Sequence, residues 1–216
     1  MPELACETPL PASDAKFALR ETARLFYDRG WAFGTSGNYS VVLDRDPLRL
    51  LITASGRDKR ALSNDDFVIV DADGHAIDPS QPRPSAETLL HCVLAARPNI
   101  GAVLHTHSIW NTLLSSVSDE AVTIAGYEML KGLAGVETHE TTIAIPVFEN
   151  TQDIPALAGE LQTRLAGGEG PSHGFLMRGH GLYTWGRDLA EARRHIEVLE
   201  FLFEVEGRSR SLFGGA

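Results

Sequence analysis

The residues most able to do chemistry are His105 and His107, which close the apolar run Gly101-Ala102-Val103-Leu104-His105-Thr106-His107-Ser108. A strand sends residues i and i+2 to one face, so the two imidazoles would project side by side from its end. A third, His180, lies between glycines in Arg178-Gly179-His180-Gly181, directly after another apolar segment. Three neutral imidazoles with an open position describe a catalytic zinc site rather than a structural one. The remaining chemistry lies in small polar loops. Gly34-Thr35-Ser36-Gly37-Asn38 and Thr53-Ala54-Ser55-Gly56-Arg57-Asp58-Lys59 mix hydroxyls, amides and glycines. Such loops can turn backbone N–H groups toward an anion, and Lys59 adds a point charge. Pro84-Ser85-Ala86-Glu87 opens a helix, with Ser85 as N-cap or anion contact. Together these loops point to a phosphate pocket beside the metal. Two carboxylates are candidates for acid/base work: Glu87 in the first turn of its helix, and Glu128 in Tyr127-Glu128-Met129-Leu130-Lys131-Gly132. Burial would raise the Glu128 pKa toward the range of a general base. His75, His139, His173 and His195 read as surface or satisfied core residues.

The elements that must hold these groups alternate along the chain. Residues 1–12 carry three prolines and no periodicity, and read as a loose lead. Helical spacing of Ala15, Leu19, Ala23 and Phe26 follows, with Ser13 as N-cap and Gly30 as terminator. Asn38–Leu43 and Leu48–Thr53 form a hairpin-like pair, and Phe67–Val70 reads as a further strand. A helix from Pro84 to about Arg97 leads into the strand Ala102–His105; a helical stretch near Ile109–Ser115 and a strand Val122–Ala125 follow. The second half continues with a strand over Thr142–Val147 interrupted at Pro146, and a helix over Gln152–Ala166. Short strands Gly174–Met177 and Leu182–Trp185 flank His180, and a last helix opens at an Asp188…Glu191 capping box. Without a Gly-x-Gly-x-x-Gly signature a dinucleotide fold has no support. The pattern predicts an α/β architecture, a layered sheet covered by helices.

At 216 residues, 43% hydrophobic and 22% charged, the composition is that of one globular domain. A net charge of −10 argues against nucleic acid as a partner. The two cysteines, Cys6 and Cys92, lie far apart and point to a reducing cytosol rather than a disulfide framework. Neither a signal peptide nor an apolar run of membrane-spanning length is evident, so a cytoplasmic protein without membrane contact is expected.

Taken in order, Gly34–Asn38, Ser55-Gly56, Pro84–Glu87, His105–Ser108 and Gly179–Gly181 resemble the class II aldolase family. That family also holds ribulose-phosphate epimerases and the non-catalytic adducin heads, which lack the metal histidines. Resemblance to the family implies an αβα fold, residues 1–216 as a single class II aldolase-like domain with a central, mostly antiparallel sheet between helices. It also implies one Zn2+ per subunit on His105, His107 and His180, and a homo-oligomer, by resemblance a tetramer. Phosphate contacts would come from Gly37, Asn38, Ser55, Gly56, Lys59 and Ser85. Tyr127–Gly132, Ile145–Thr151 and Arg178–Gly186 are closest to the family's dehydratases, lyases of methionine salvage that act on a methylthio-bearing ketose 1-phosphate. On that reading Glu128 donates and accepts the proton, while Glu87 occupies the position of the aldolases' catalytic carboxylate. An aldolase or epimerase using Glu87, and an adducin-like interaction module, are the competing expectations.

Overall fold

The computed structural model describes residues 11–168 and 170–213. Cys6 and most of the expected N-terminal lead lie outside them. Helix α1 (Ala12–Asp28) starts one residue before the expected cap. Pro11, its φ already fixed near the helical value, occupies the N-cap, and the Ser13 hydroxyl turns to Asp14 instead. Ala15, Leu19, Ala23 and Phe26 form the buried stripe, as their spacing predicts.

Among the described residues, eight strands make one sheet in the order β3-β2-β1-β4-β8-β7-β6-β5. They are β1 (Asn38–Arg45), β2 (Leu48–Thr53), β3 (Phe67–Val70), β4 (Ala102–Thr106), β5 (Ala121–Ala125), β6 (Thr142–Phe148), β7 (Gly174–Met177) and β8 (Gly181–Gly186). Every pairing is antiparallel except β6 with β7. Pro146 does not interrupt β6. Residues 142–146 pair with β5, while Val147 and Phe148 pair with β7, so the proline sits where the strand changes partner and its missing N–H matters least.

The remaining helices are α2 (Thr88–Ala95), α3 (Ile109–Val117), α4 (Ile154–Ala166) and α5 (Leu189–Phe213). One face of the sheet packs Leu90 and Leu94 of α2 with Leu157 and Leu161 of α4 against Val103, Phe175 and Tyr183. The other face packs α1 and α5, through Leu19, Phe26, Ile196, Leu199 and Phe203, against Leu104, Leu176 and Leu182. The layers are therefore helix, sheet, helix, the αβα class expected. Among the described residues no helix is long and apolar enough to cross a membrane.

Asp188 caps α5 through the Glu191 N–H (2.8 Å). The Glu191 carboxylate reaches back to the Arg187 N–H (2.9 Å), one residue earlier than in a standard capping box. Helix α2 begins at Thr88, later than the sequence predicts. Ser85 does not cap it. Its hydroxyl accepts from the Glu87 N–H and from Asn38 Nδ2 (both 3.3 Å), because a turn closed by the Thr88 N–H on the Ser85 carbonyl (3.2 Å) precedes the helix and sets Ser85 and Glu87 on the cavity wall.

Candidate active site

Strand β4 lies at the middle of the sheet, and its register brings three side chains into one row. Asn38 of β1 and Tyr183 of β8 both pair with His105. Cross-strand partners share a face, so all three point to the side covered by α2. The Tyr183 ring stacks on the His105 imidazole at 3.9 Å between centroids and 13° between planes. His107 extends the same face past the strand end, its N–H held by the Trp31 carbonyl (2.8 Å). His180 arrives from the β7–β8 turn. Gly181 lets that turn close, since a Cβ there would lie 2.3 Å from the Thr106 carbonyl oxygen and 2.8 Å from the His105 ring. Gly37, at φ +76°, likewise passes where a Cβ would meet the His105 carbonyl oxygen at 2.6 Å.

The three imidazoles converge, with a ligand nitrogen of each within 4.8 Å of the others. His105 Nδ1–H donates to the Leu182 carbonyl (2.9 Å), which leaves its Nε2 bare and aimed into the cluster. His107 Nε2 lies 2.8 Å from that atom. His180 places Nδ1 3.3 Å from Asn150 Oδ1, an acceptor, so its Nε2 is bare as well. That nitrogen faces Glu87 Oε1 at 3.3 Å, and Glu87 Oε2 lies 3.6 Å from His105 Nε2. With both rings neutral, as ligands must be, lone pairs of two imidazoles and a carboxylate confront one another. Such a set repels itself unless a cation sits among its members. It fits a divalent ion, whose imidazole ligands stand about 3.3 Å apart in a tetrahedral site with metal–nitrogen bonds near 2.0–2.1 Å. Burial, then the charge of the neighbouring histidines, pushes the pKa of His105 well down and that of His107 down to about 4, so both stay neutral as ligands must.

A cavity of about 270 Å3 opens beside the histidines, lined by loops Thr35–Asn38 and Ala54–Gly56 with Lys59, Ser85, Glu87 and His107. All six residues expected to contact a phosphate are there. Lys59 is fully buried. Its ammonium donates to the carbonyls of Thr35 and Arg57 (3.0 Å each), and burial lowers its pKa to about 8. One of its three N–H donors stays unused by these bonds. Asn38 Nδ2 donates to Glu87 Oε2 (2.8 Å), which fixes the carboxylate against the histidines.

Glu128 is not brought to this cluster within the chain. It stands on a single 3-10 turn (Glu128–Gly132) that buries Leu130 and turns the glutamate outward. Its side chain is 66% exposed, paired with Lys131 and with His139 (3.1 Å), and these partners lower its pKa rather than raise it. Two residues of the site lack any distinctive signal in the sequence. His91 on α2 hydrogen-bonds Ser40 and Asn38, and looks in sequence like one histidine in an apolar helix. Tyr183 carries no motif of its own; only its pairing with His105 places it there.

Comparison with known proteins identifies the family. The class II aldolase and adducin N-terminal domain family matches residues 18–206. A methylthioribulose-1-phosphate dehydratase of Marinobacter nauticus is 50% identical over 190 residues, 86% of this chain and 89% of the relative. That of Pectobacterium atrosepticum is 52% identical over 188 residues, with 86% and 89% covered. Among solved structures, an L-fuculose-1-phosphate aldolase from Thermus thermophilus superposes with a TM-score of 0.74 at 22% identity, covering 95% of this chain and all of that one. At that identity the likeness speaks for the fold alone. The chain belongs to the class II aldolase and adducin family, and within it to the group of its methylthioribulose-1-phosphate dehydratases.

Proposed function

We propose that the protein is a zinc-dependent lyase that dehydrates 5-methylthioribulose 1-phosphate to 2,3-diketo-5-methylthiopentyl 1-phosphate, a step of methionine salvage in the cytosol. The observation that carries the reading is the set of bare imidazole nitrogens meeting Glu87 at the mouth of a cavity lined by Lys59, Ser55 and Ser85. The name shared by relatives at about half identity selects dehydration from the reactions such a site could run. A divalent ion on His105, His107 and His180 would supply Lewis acidity to the oxygens at C2 and C3 of the substrate.

The chain's own residues then have two tasks. Gly37, Asn38, Ser55, Gly56, Lys59 and Ser85 hold the phosphate, with Lys59 giving the charge and its unused N–H. Fixing this remote group orients C3 and C4 without touching the bonds that change. A carboxylate takes the proton from C3 and returns one to the departing C4 hydroxyl, so that water leaves and the product enol ketonises. We assign that proton to Glu128, delivered from a neighbouring copy in a homo-oligomer. Its outward position favours this, as does the exposed apolar stripe Ile109, Leu113 and Val117 on α3, the helix that directly follows the histidine strand. Glu87, held by Asn38, stays beside the histidines.

A second reading is a sugar-phosphate aldolase or epimerase, and the contact of Glu87 with His105 and His180 favours it, since Glu87 would then be the acid/base. Incubating metal-loaded protein with methylthioribulose 1-phosphate and with fuculose 1-phosphate separates the two. Loss of the first substrate with formation of the diketone supports the dehydratase. Release of dihydroxyacetone phosphate from the second overturns it.

A further inference from the structure

We propose that His91 is a positioning residue that sets the orientation of the Asn38 side chain, and through it the Glu87 carboxylate, at the histidine cluster. The proposal rests on the reading of that cluster as the active site. Asn38 stands between two groups. On one side Nδ2 meets Glu87 Oε2 (2.8 Å) and Ser85 Oγ (3.3 Å). On the other, Oδ1 hydrogen-bonds His91 Nε2. An ionised carboxylate only accepts, so the amide nitrogen has to face Glu87 and the amide oxygen has to face His91. His91 must then carry its proton on Nε2. Its Nδ1 is left bare and accepts from the Ser40 hydroxyl at 2.8 Å, the alternative acceptor of that hydroxyl, the Val103 carbonyl, being 3.5 Å away. Donation therefore runs one way, from Ser40 to His91 to Asn38 to Glu87.

The opposite tautomer would set a bare ring nitrogen against Oδ1. Asn38 could relieve that contact only by flipping its amide, which would turn its oxygen onto the Glu87 carboxylate. The first arrangement puts two acceptors face to face in a dry setting, and the second does so at the cavity wall. Ser40 and His91 have no exposed surface, so no solvent can substitute for a missing partner. Burial holds the His91 pKa down to about 3, and the ring stays neutral across the working range. It is also fixed edge-on to Tyr183, at 5.8 Å and 70°, the tyrosine that stacks on His105. The same arrangement thus braces Glu87 from α2 and His105 from β8.

The test combines a double-mutant cycle with a spectroscopic readout. His91→Phe, Asn38→Ala and the double variant are assayed on methylthioribulose 1-phosphate, with zinc content measured for each. Outer partners of metal sites typically contribute 10–100-fold to activity. His91→Phe should lose about that much in kcat/KM while keeping its zinc, yet change activity by less than about 3-fold once Asn38 is already alanine. His91→Gln, which offers both an N–H and a carbonyl, should recover most of the loss. Independently of turnover, 1H–15N spectra of the zinc-loaded wild type should show His91 protonated on Nε2 and bare on Nδ1. Equal losses in both backgrounds, full activity in His91→Phe, or a proton on Nδ1 would overturn the proposal. If the wild type leaves methylthioribulose 1-phosphate intact, the function proposed above fails, and the tautomer alone then decides the role of His91.

Discussion

Lys59 offers a quantitative probe of the cavity. It is buried, its ammonium bonded to two carbonyls, and burial lowers its pKa from 10.5 to about 8. The unfolded chain holds the proton up to about pH 10.5, whereas the native protein releases it near 8. Between those values the unfolded state binds more protons, so native stability rises with pH through this window. At about 1.4 kcal/mol per pH unit the gap corresponds to about 3 kcal/mol. Urea unfolding of the wild type and of Lys59→Met, from pH 7 to 10.5, reads this directly. The wild type should gain up to about 3 kcal/mol on Lys59→Met across the range, the comparison cancelling the opposite contributions of Cys92 and the buried tyrosines, whose pKa values are raised. Inorganic phosphate, which binds best to the charged lysine, should move the gain to higher pH. A difference between the two proteins that is flat or falling from pH 8 upward would refute the assignment of a buried, depressed ammonium.

Further outcomes follow from other groups. If Glu128 serves the site of a neighbouring copy, His105→Ala and Glu128→Gln, each inactive alone, should regain activity when co-assembled, and mixed oligomers that stay silent would contradict this. Glu200 is buried under β4, taking hydrogen bonds from Thr106 and Asn111 (3.0 Å each), and burial raises its pKa to about 7. The native state therefore holds a proton there that the unfolded state loses above about 4.5, and stability falls as pH rises toward 7. Glu200→Gln should escape that fall, by up to about 3 kcal/mol at pH 8 in denaturant unfolding. Gly181→Ala should displace His180, because the added Cβ would lie 2.3 Å from a backbone oxygen; calorimetric zinc titration should show weaker binding than in the wild type.

How far the sequence alone carries is visible residue by residue. The apolar run ending in His105-Thr106-His107 is both strand signal and site signal, because period-2 geometry fixes the shared face before any tertiary contact is known. The alternation that predicts a layered α/β fold is present for the same reason, and α1 shows its buried stripe at Ala15, Leu19, Ala23 and Phe26. Local chemistry misleads where tertiary contacts compete with it. Ser85 has the type and place of an N-cap, but Asn38, forty-seven residues earlier, engages its hydroxyl and α2 starts at Thr88 instead. His91 is legible only after β1 and α2 are brought together, since its partners Ser40 and Asn38 are remote in sequence. Glu128 shows the converse: its motif is visible in the sequence, yet the surroundings that would tune a general base are absent from the single chain, where Lys131 and His139 hold it as an ordinary ion pair.

The central claim, that three imidazoles hold the ion on which turnover depends, is tested most directly by stripping the protein of metal and adding zinc back stepwise while following methylthioribulose 1-phosphate. Activity should be absent at the start and should plateau at one zinc per chain. Full turnover by the stripped protein, or a plateau that survives replacement of His180 by alanine, would contradict it.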